Sequence, residues 1–293
     1  MKTSVSRRTR RLALGLGVLT AVGGLAISAT VAAAGTSGAG VSASALPKVD
    51  MERVVLASQL DPPKSGTGKT PEAGDDVLRV ERALKAKGLL ASRYVDGHYG
   101  SSTVTAYGKY QRRLGYSGID ANGIPGRTSL NKLGSKRFAV VRTTNPGSRN
   151  YSISGERVNH RTYNMIKRAD SKLSFSIRLT QGSYTSSNPN SAGTHAGGGA
   201  VDISVSGLSS TNRWRMVREL RRVGFAAWLR TPSQGDWGYH IHAIAVNDTD
   251  ASRQARNQVH DYWYGRNGLA SHARDNTPKA YRVGFTWWER YLR

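Results

Sequence analysis

Two short segments of the sequence concentrate residue types that bind metal ions and transfer protons. The segment SAGTHAGGGAVDIS carries His195 and Asp202, and the segment DWGYHIHAIAV carries His240 and His242. Two imidazoles and a carboxylate, with a fourth position open to water, form a catalytic zinc site. The chain has no cysteine, so a zinc site here must use His, Asp or Glu. This donor set favours a catalytic site over a closed structural one.

The first segment predicts a strand at 200–205 that directs Asp202 into a cleft. Alternate residues of a strand share a face, and the apolar residues of this strand fall on one side: Val201, Ile203 and Val205. Asp202 therefore lies on the side opposite the core. His195 comes just before the triple glycine 197–199, whose backbone freedom would let it fold back over Asp202.

The second segment predicts a strand at 239–246 with both histidines on one face. Its apolar residues occupy the other face: Ile241, Ala243 and Ala245. Because His240 and His242 are two residues apart on a strand, their Cα atoms stand roughly 7 Å apart. Both imidazoles are therefore near enough to converge on one ion.

The spacing His-x6-Asp followed by His-x-His resembles the zinc D-alanyl-D-alanine peptidases and their lysostaphin-like relatives. The resemblance implies Zn²⁺ as the cofactor, with His195, Asp202 and His242 as its ligands. Many carboxypeptidases of the group place a Glu shortly before the last ligand as general base, and this segment has no Glu. Some endopeptidases of the group use the first His of His-x-His, so the resemblance assigns the base to His240, with Asp236 as the alternative.

The resemblance also indicates where substrate is held. Gln181-Gly-Ser-Tyr184 stands where the group often has Ser-Gly-Tyr-Arg, and Thr185 occupies the arginine position. Arg178, on a strand predicted at 175–179, is the candidate to hold a substrate carboxylate in its place. Gln181 is the candidate donor to a developing oxyanion. For each of these two residues, the alternative is that it does not contact the substrate.

Residues 76–134 predict a compact three-helix module. Apolar residues recur at helical spacing in two stretches: Val77, Val80 and Leu84, then Val104, Tyr107, Tyr110 and Leu114. Glycine turns at 96–103 and 122–129 carry Ser and Thr that can cap the helix that follows. The order VDGHYGSSTVTAYGKYQRRLGY, then NGIPGRTSLNKL, resembles the bacterial peptidoglycan-binding domain, which implies peptidoglycan as the partner. At least one of Tyr107 and Tyr110 is expected to be a core residue.

The remaining segments predict a signal peptide, a flexible leader and a linker. Residues 1–34 combine a basic run, an apolar stretch and Ala32-Ala33-Ala34, which is typical of a secretory signal peptide. A membrane anchor is the alternative, although four glycines interrupt the apolar stretch, and paired arginines also suggest twin-arginine export. Residues 35–75 predict a flexible leader because they are rich in small residues and proline. Residues 135–150 predict a short basic linker.

The charge balance points to a polyanionic partner. The net charge is +24, and the first 34 residues contribute five of these charges, which leaves +19. Such a chain is attracted to polyanions, and after export the nearest polyanion is the cell wall. The arginines are spread through both halves, whereas a nucleic-acid contact is more often a clustered stripe. We therefore expect no nucleic acid, no stable membrane anchor after signal cleavage and no oligomer.

Together these patterns predict an α+β chain in which a small all-α module precedes an α+β domain, residues 151–293, with a small antiparallel sheet. The expected function is a secreted, extracellular or wall-associated zinc metallopeptidase that cuts peptidoglycan peptide bonds. The enzyme is expected to be either a D-Ala-D-Ala carboxypeptidase or a peptidoglycan endopeptidase. The alternative is a non-catalytic wall-binding protein with a degenerate metal site, because the Glu before the last ligand and the loop arginine are both missing.

Overall fold

The computed structural model describes residues 45–62, 68–185 and 192–293. The predicted signal peptide and the first part of the predicted leader lie outside the described residues. The described part has the predicted α+β class. Its helices are α1 Met51–Leu60, α2 Gly74–Ala86, α3 Ser101–Arg113, α4 Arg127–Gly134, α5 His160–Asp170, α6 Ser210–Arg222, α7 Arg253–Trp263 and α8 Trp288–Leu292. Its strands are β1 Lys48–Asp50, β2 Ala139–Val141, β3 Tyr151–Ile153, β4 Glu156–Val158, β5 Leu179–Gln181, β6 Ala200–Ser204, β7 Phe225–Arg230 and β8 His240–Ala245.

None of the helices within the described ranges has the length and apolar character needed to cross a membrane. Residues Ala45–Arg293 form one compact unit. The helical module and the sheet therefore belong to a single packed body, and one hydrophobic cluster runs from Val77 in α2 to Trp228 in β7.

Helices α2 and α3 of the module form where the apolar spacing predicts them, and α4 follows as the third helix of the predicted module. Val77, Val80 and Leu84 are fully buried along one side of α2. Tyr107 and Tyr110 of α3 are buried too, and the Tyr107 hydroxyl lies 3.0 Å from Ser129 Oγ. Both tyrosines are thus core residues, which leaves neither ring free to stack on a ligand.

The prediction of a flexible leader through residue 75 is wrong for residues 48–60, which form β1 and α1. The short stretch MERVVLASQL is apolar enough to be buried, although the Gly, Ser and Pro around it dominate the average composition. Asp50 caps α1 by accepting from the Arg53 amide. Helix α1 packs against α7, and the side-chain oxygen of Gln59 accepts from the amide of Asn247 at 3.0 Å.

The predicted linker 135–150 is also ordered. Strand β2 pairs in parallel with β1, with Val140 opposite Val49. Thr144 Oγ1 donates to Glu289 Oε1 at 3.0 Å, and Arg149 pairs with Asp250. The segment therefore contributes a paired strand to the fold. Its polar side chains also bind residues of the α+β domain that lie far along the chain.

The site is carried by a four-stranded antiparallel sheet with the order β5-β6-β8-β7. In this sheet Asp202 stands opposite His242, and His242 stands opposite Trp228. The strand predicted at 175–179 begins at Leu179. Strand β7 was not predicted, because its sequence FAAWLR is buried at every position and lacks the alternation that reveals a half-exposed strand.

The two faces of this sheet have different partners. One face packs on α5 and α6, and its residues include Val201, Ile203, Val205, Ile241, Ala243 and Ala245, as predicted. The other face packs on α7 through buried apolar residues such as Ala226 and Ile244. This second face also carries Asp202 and His242, so the site lies between the sheet and α7.

Candidate metal centre

Three side chains predicted as metal ligands meet on the α7 side of the sheet. His195, Asp202 and His242 each offer a ligand atom, and these atoms all lie within 4.8 Å of one another. Asp202 Oδ1 is 2.7 Å from His242 Nδ1, and Asp202 Oδ2 is 3.4 Å from His195 Nε2. In a tetrahedral zinc site, ligand atoms at 2.0–2.2 Å from the ion stand about 3.4 Å apart. The spacing therefore fits a small divalent cation with little rearrangement.

His195 is held in the orientation that a metal ligand needs. It lies in a short 3₁₀ turn, Thr194–Ala196, and only 4 % of the residue is exposed. Its Nδ1 lies 2.9 Å from the carbonyl oxygen of Gly182. A neutral imidazole has one N–H, and donating it to this carbonyl leaves the lone pair of Nε2 pointing at Asp202.

His242 has the same arrangement with a side chain as the outer partner. Its Nε2 lies 2.8 Å from Gln258 Oε1, while its Nδ1 faces Asp202. Gln258 Nε2 donates in turn to Thr194 Oγ1 at 3.2 Å. Ring contacts complete the support: Trp228 lies parallel to His242, with ring centroids 6.3 Å apart. The outer partners thus fix both imidazoles and leave one nitrogen of each facing the carboxylate.

Positive charge is favoured at this cluster. Burial would raise the pKa of Asp202, but the charge of His242 and the hydrogen bond with His195 hold that pKa well below its usual value. Burial lowers the pKa of His195, yet the hydrogen bond and charge of Asp202 bring it above its usual value. Burial dominates at His242 and lowers its pKa. A proton on an imidazole nitrogen can face this ionised carboxylate, and a bound divalent cation would replace that proton.

His240 lies beside the three candidate ligands and outside their cluster. Its Nε2 is 4.0 Å from Asp202 Oδ1, and its side chain is 22 % exposed. Its Nδ1 lies 2.9 Å from the carbonyl oxygen of Gly238, which leaves Nε2 free to accept a proton. The two histidines of the His-x-His pattern therefore take different positions, one in the cluster and one at its edge.

A cavity of about 450 Å³ opens onto the cluster. Gln181 and Asp236 line it together with His240, so these three predicted residues reach the same space. Gln181 stands opposite Asp202 in the sheet, and its amide donates to Thr185 Oγ1 at 3.2 Å. Arg178 is exposed and lines neither this cavity nor the neighbouring one at Asp202. The structure therefore does not bring Arg178 to the site.

Arg230 is a cation at the cavity that the sequence analysis missed. It ends β7 opposite His240, lines the cavity and is 3 % exposed. Its Nη1 donates to the carbonyl oxygen of Asn267 at 2.7 Å. Burial lowers its pKa to about 10, against the opposing influence of Asp202, so the guanidinium is charged at neutral pH. No sequence motif marks it, because only the pairing of β7 with β8 places it here.

The triple glycine between His195 and Asp202 allows a close approach of three chain segments. A Cβ on Gly198 would stand 2.6 Å from Asp250 Cβ and 2.7 Å from the Tyr184 hydroxyl. Gly199 has φ of +81°, and a Cβ added there would stand 3.0 Å from Asp248 Cβ. A side chain at either position would push the segment 197–199 away from Asp248 and Asp250.

Comparison with known proteins adds no family to this description. No family model, no curated protein and no solved structure matches the chain.

Proposed function

We propose that this chain is a secreted zinc-dependent hydrolase of peptidoglycan peptide bonds. The observation that carries the proposal is the buried cluster of His195, Asp202 and His242. Its ligand atoms have the spacing and donor chemistry of a catalytic zinc site, and a cavity opens onto it. Zinc bound there would polarise an amide carbonyl and lower the pKa of a water molecule toward neutrality.

His240 carries the proton in this proposal. The Nε2 atom of His240 takes a proton from the attacking water as the oxygen adds to the amide carbon. The carbon–nitrogen bond then breaks, and His240 gives the proton to the leaving amine, so that the products are a carboxylic acid and an amine, which ionise at neutral pH to a carboxylate and an ammonium ion. The free Nε2 of His240, 4.0 Å from Asp202 Oδ1, supports this role. Asp236 is exposed on the cavity wall and remains the alternative base.

Arg230 and Gln181 hold the substrate in this proposal. Both line the cavity of the cluster. The buried guanidinium of Arg230 attracts a substrate carboxylate or the charge that develops on the carbonyl oxygen. It supplies the cation that Thr185 cannot supply in the loop. The amide of Gln181 is placed to donate to the same oxygen.

The helical module, 76–134, binds peptidoglycan in this proposal and keeps the catalytic part on its polymeric substrate. The resemblance of its turns to the peptidoglycan-binding domain supports this role, as does the net charge of +19 that remains without the first 34 residues. The buried Tyr107 and Tyr110 leave the contact to other residues of the module.

The test is incubation of purified peptidoglycan with the zinc-loaded chain from Gly35 to Arg293, followed by mass spectrometry of the released fragments. We expect the parent to release peptides or alanine and to bind about one zinc ion per chain. His242→Ala is expected to lose both properties. His160→Ala is a matched control, because His160 is an exposed histidine far from the cluster in the sequence and is expected to keep both.

Two other outcomes would contradict the enzyme proposal. If parent and variant both pellet with the wall and neither releases fragments, the chain is a wall-binding protein with an inactive metal site. If the parent releases fragments and His242→Ala releases them equally fast, the hydrolysis does not come from this cluster.

A further inference from the structure

A second cavity, of about 620 Å³, adjoins the end of α7 and shares no lining residue with the cavity of the metal centre. Its walls combine arginines with aromatic rings: Arg221, Arg266, Arg274, Arg282, Trp263 and Phe285. Among the described residues that line this cavity, Asp275 is the one carboxylate. We call this cavity the arginine pocket.

Two of these arginines stand opposite each other, and few negative charges balance their positive charges. Arg266 and Arg274 form an antiparallel bridge between two stretches of the loop after α7. The Arg266 guanidinium lies 3.6 Å from Asp261, whose carboxylate is also bound by His272 at 2.8 Å. Arg274 is exposed, and within the described part of the chain no side chain pairs with it. Like charges directly opposite each other destabilise a pair of strands, so a bound anion would stabilise this arrangement.

The other two arginines are fixed and shape the floor of the pocket. Arg221 is 2 % exposed, and its Nη2 lies 2.9 Å from Asp275 Oδ2. Arg282 donates from Nε to the carbonyl oxygen of Thr277 at 2.7 Å. The single carboxylate is thus already neutralised by Arg221. The charge of Arg274 and Arg282 remains for a ligand, together with part of the charge of Arg266, whose partner Asp261 is shared with His272.

The aromatic wall favours a ligand with a ring. Trp263 meets Phe285 edge to face, with ring centroids 4.6 Å apart. Tyr264 lies beside them and is 49 % exposed. Partly exposed aromatic rings offer a flat apolar surface to a cyclic partner, and a pocket of this volume fits a small organic molecule.

We infer that the arginine pocket binds a sugar that carries an oxyanion, either a carboxylate or a phosphate. Guanidinium groups bind both oxyanions through paired, charge-assisted hydrogen bonds, while the aromatic wall covers one face of the sugar ring. The loop after α7 lines both cavities, because Gly268, Leu269 and Ala270 face the metal centre. A sugar held in the arginine pocket therefore lies next to the same loop that borders the metal centre.

Isothermal titration calorimetry on the chain from Gly35 to Arg293 tests this inference at constant ionic strength. The probes are glucose 6-phosphate, glucuronate, inorganic phosphate and glucose. We expect saturable one-to-one binding of at least one of the two anionic sugars, and the tighter one identifies the oxyanion. Inorganic phosphate is expected to bind about tenfold more weakly, and glucose not measurably. Absence of saturable binding by both anionic sugars would overturn the inference, as would equal binding of inorganic phosphate.

Variants locate the binding and separate it from the proposed hydrolase activity. Arg266→Ala and Arg274→Ala are each expected to weaken binding of the anionic sugar about tenfold or more. Arg215→Ala removes the same charge from an exposed position on α6 outside the pocket and should leave binding unchanged. His242→Ala should also leave it unchanged, so the pocket can be tested even if the metal centre proves inactive. Equal weakening in Arg215→Ala would show general charge attraction and refute the pocket.

A stability measurement guards against a folding defect. In the absence of ligand, Arg274→Ala should unfold at a temperature equal to or above that of the parent, because it relieves the repulsion from Arg266. The anionic sugar should raise the unfolding temperature of the parent more than that of Arg274→Ala. A ligand-induced rise of the same size in both chains would contradict the assignment.

Discussion

The side-chain oxygen of Gln258 lies 2.8 Å from Nε2 of His242. This contact joins the middle of α7 to the central strand of the sheet, and it fixes which imidazole nitrogen faces Asp202. Gln258 is thus a positioning residue for the candidate metal centre and is not one of its three candidate ligands.

Gln258→Ala should lower the affinity for zinc by about 10- to 100-fold, the usual cost of losing an outer partner of a metal-binding histidine. The measurement is competition with a zinc chelator at pH 7. Asn257→Ala is the matched control, because Asn257 is exposed on the same helix and should keep the parent affinity. Equal affinities for Gln258→Ala and the parent would show that the contact has no role in metal binding.

His240→Gln should separate metal binding from turnover. The glutamine cannot accept and return a proton at neutral pH, so the rate of peptide release should fall by about 10²- to 10⁴-fold. The zinc content should stay at the parent level, because His240 lies outside the ligand cluster. Zinc content and fragment release are measured on the same sample. Undiminished release would move the base role to Asp236, and Asp236→Asn then becomes the variant to compare.

Glu81 makes the stability of the helical module depend on pH. This side chain is fully buried, accepts from the amides of Asp96 and Gly97, and accepts from Thr103 Oγ1. Burial raises the pKa of its carboxyl from 4.5 to about 7 against these hydrogen bonds. Between these two pH values the folded chain keeps a proton that the unfolded chain has lost. Stability contributed by Glu81 is therefore present below about pH 4.5 and is lost as pH rises through about 7.

The comparison that isolates this effect is parent against Glu81→Gln in urea unfolding between pH 5 and pH 8. The variant cannot ionise at this position, so the parent should lose up to about 3 kcal/mol of unfolding free energy relative to it across this range. Other buried carboxyls titrate in both chains and cancel in the difference. A difference that stays constant with pH would refute the raised pKa.

Gly199→Ala should destabilise the fold and weaken zinc binding together. The substitution places a Cβ at φ of +81° and against Asp248 Cβ, which should cost about 2–3 kcal/mol. Gly88→Ala is the matched control, because Gly88 has φ of +68° and no atom of the described residues lies within 4 Å of a Cβ added there. It should cost about 1 kcal/mol and leave zinc affinity unchanged. Identical effects of the two substitutions would mean that the close approach at Gly199 is unimportant.

Removal of α1 should prevent cooperative folding. A chain that begins at Ala45 keeps β1 and α1, and it should unfold cooperatively. A chain that begins at Lys69 loses Val54, Val55 and Leu60, each of which is fully buried. Burial of each such side chain contributes about 1.5–3 kcal/mol, and the sum approaches the total stability of a typical domain. Thermal unfolding followed by circular dichroism compares the two, and a cooperative transition in the shorter chain would show that α1 is dispensable.

Local sequence indicated which side chains could converge, and the resemblance of their spacing to the zinc D-alanyl-D-alanine peptidases selected the three that form the cluster. The strand alternation around Asp202 and His242 indicates which side chains point away from the core, and the triple glycine indicates where the chain can fold back. These signals extend over a few residues, and the backbone geometry of a strand or turn converts them directly into side-chain direction. The α+β class follows from the same periodicities.

The tertiary structure alone decided which distant residues support that cluster. Trp228, Arg230 and Gln258 reach it through the pairing of β7 with β8 and the packing of α7 on the sheet. It also decided that part of the predicted leader is a buried helix, α1. The partners of α1 lie about 190 residues away, as the contact of Gln59 with Asn247 shows. Local periodicity contains no information about such pairs, since their energy comes from surfaces that meet only after the chain has folded.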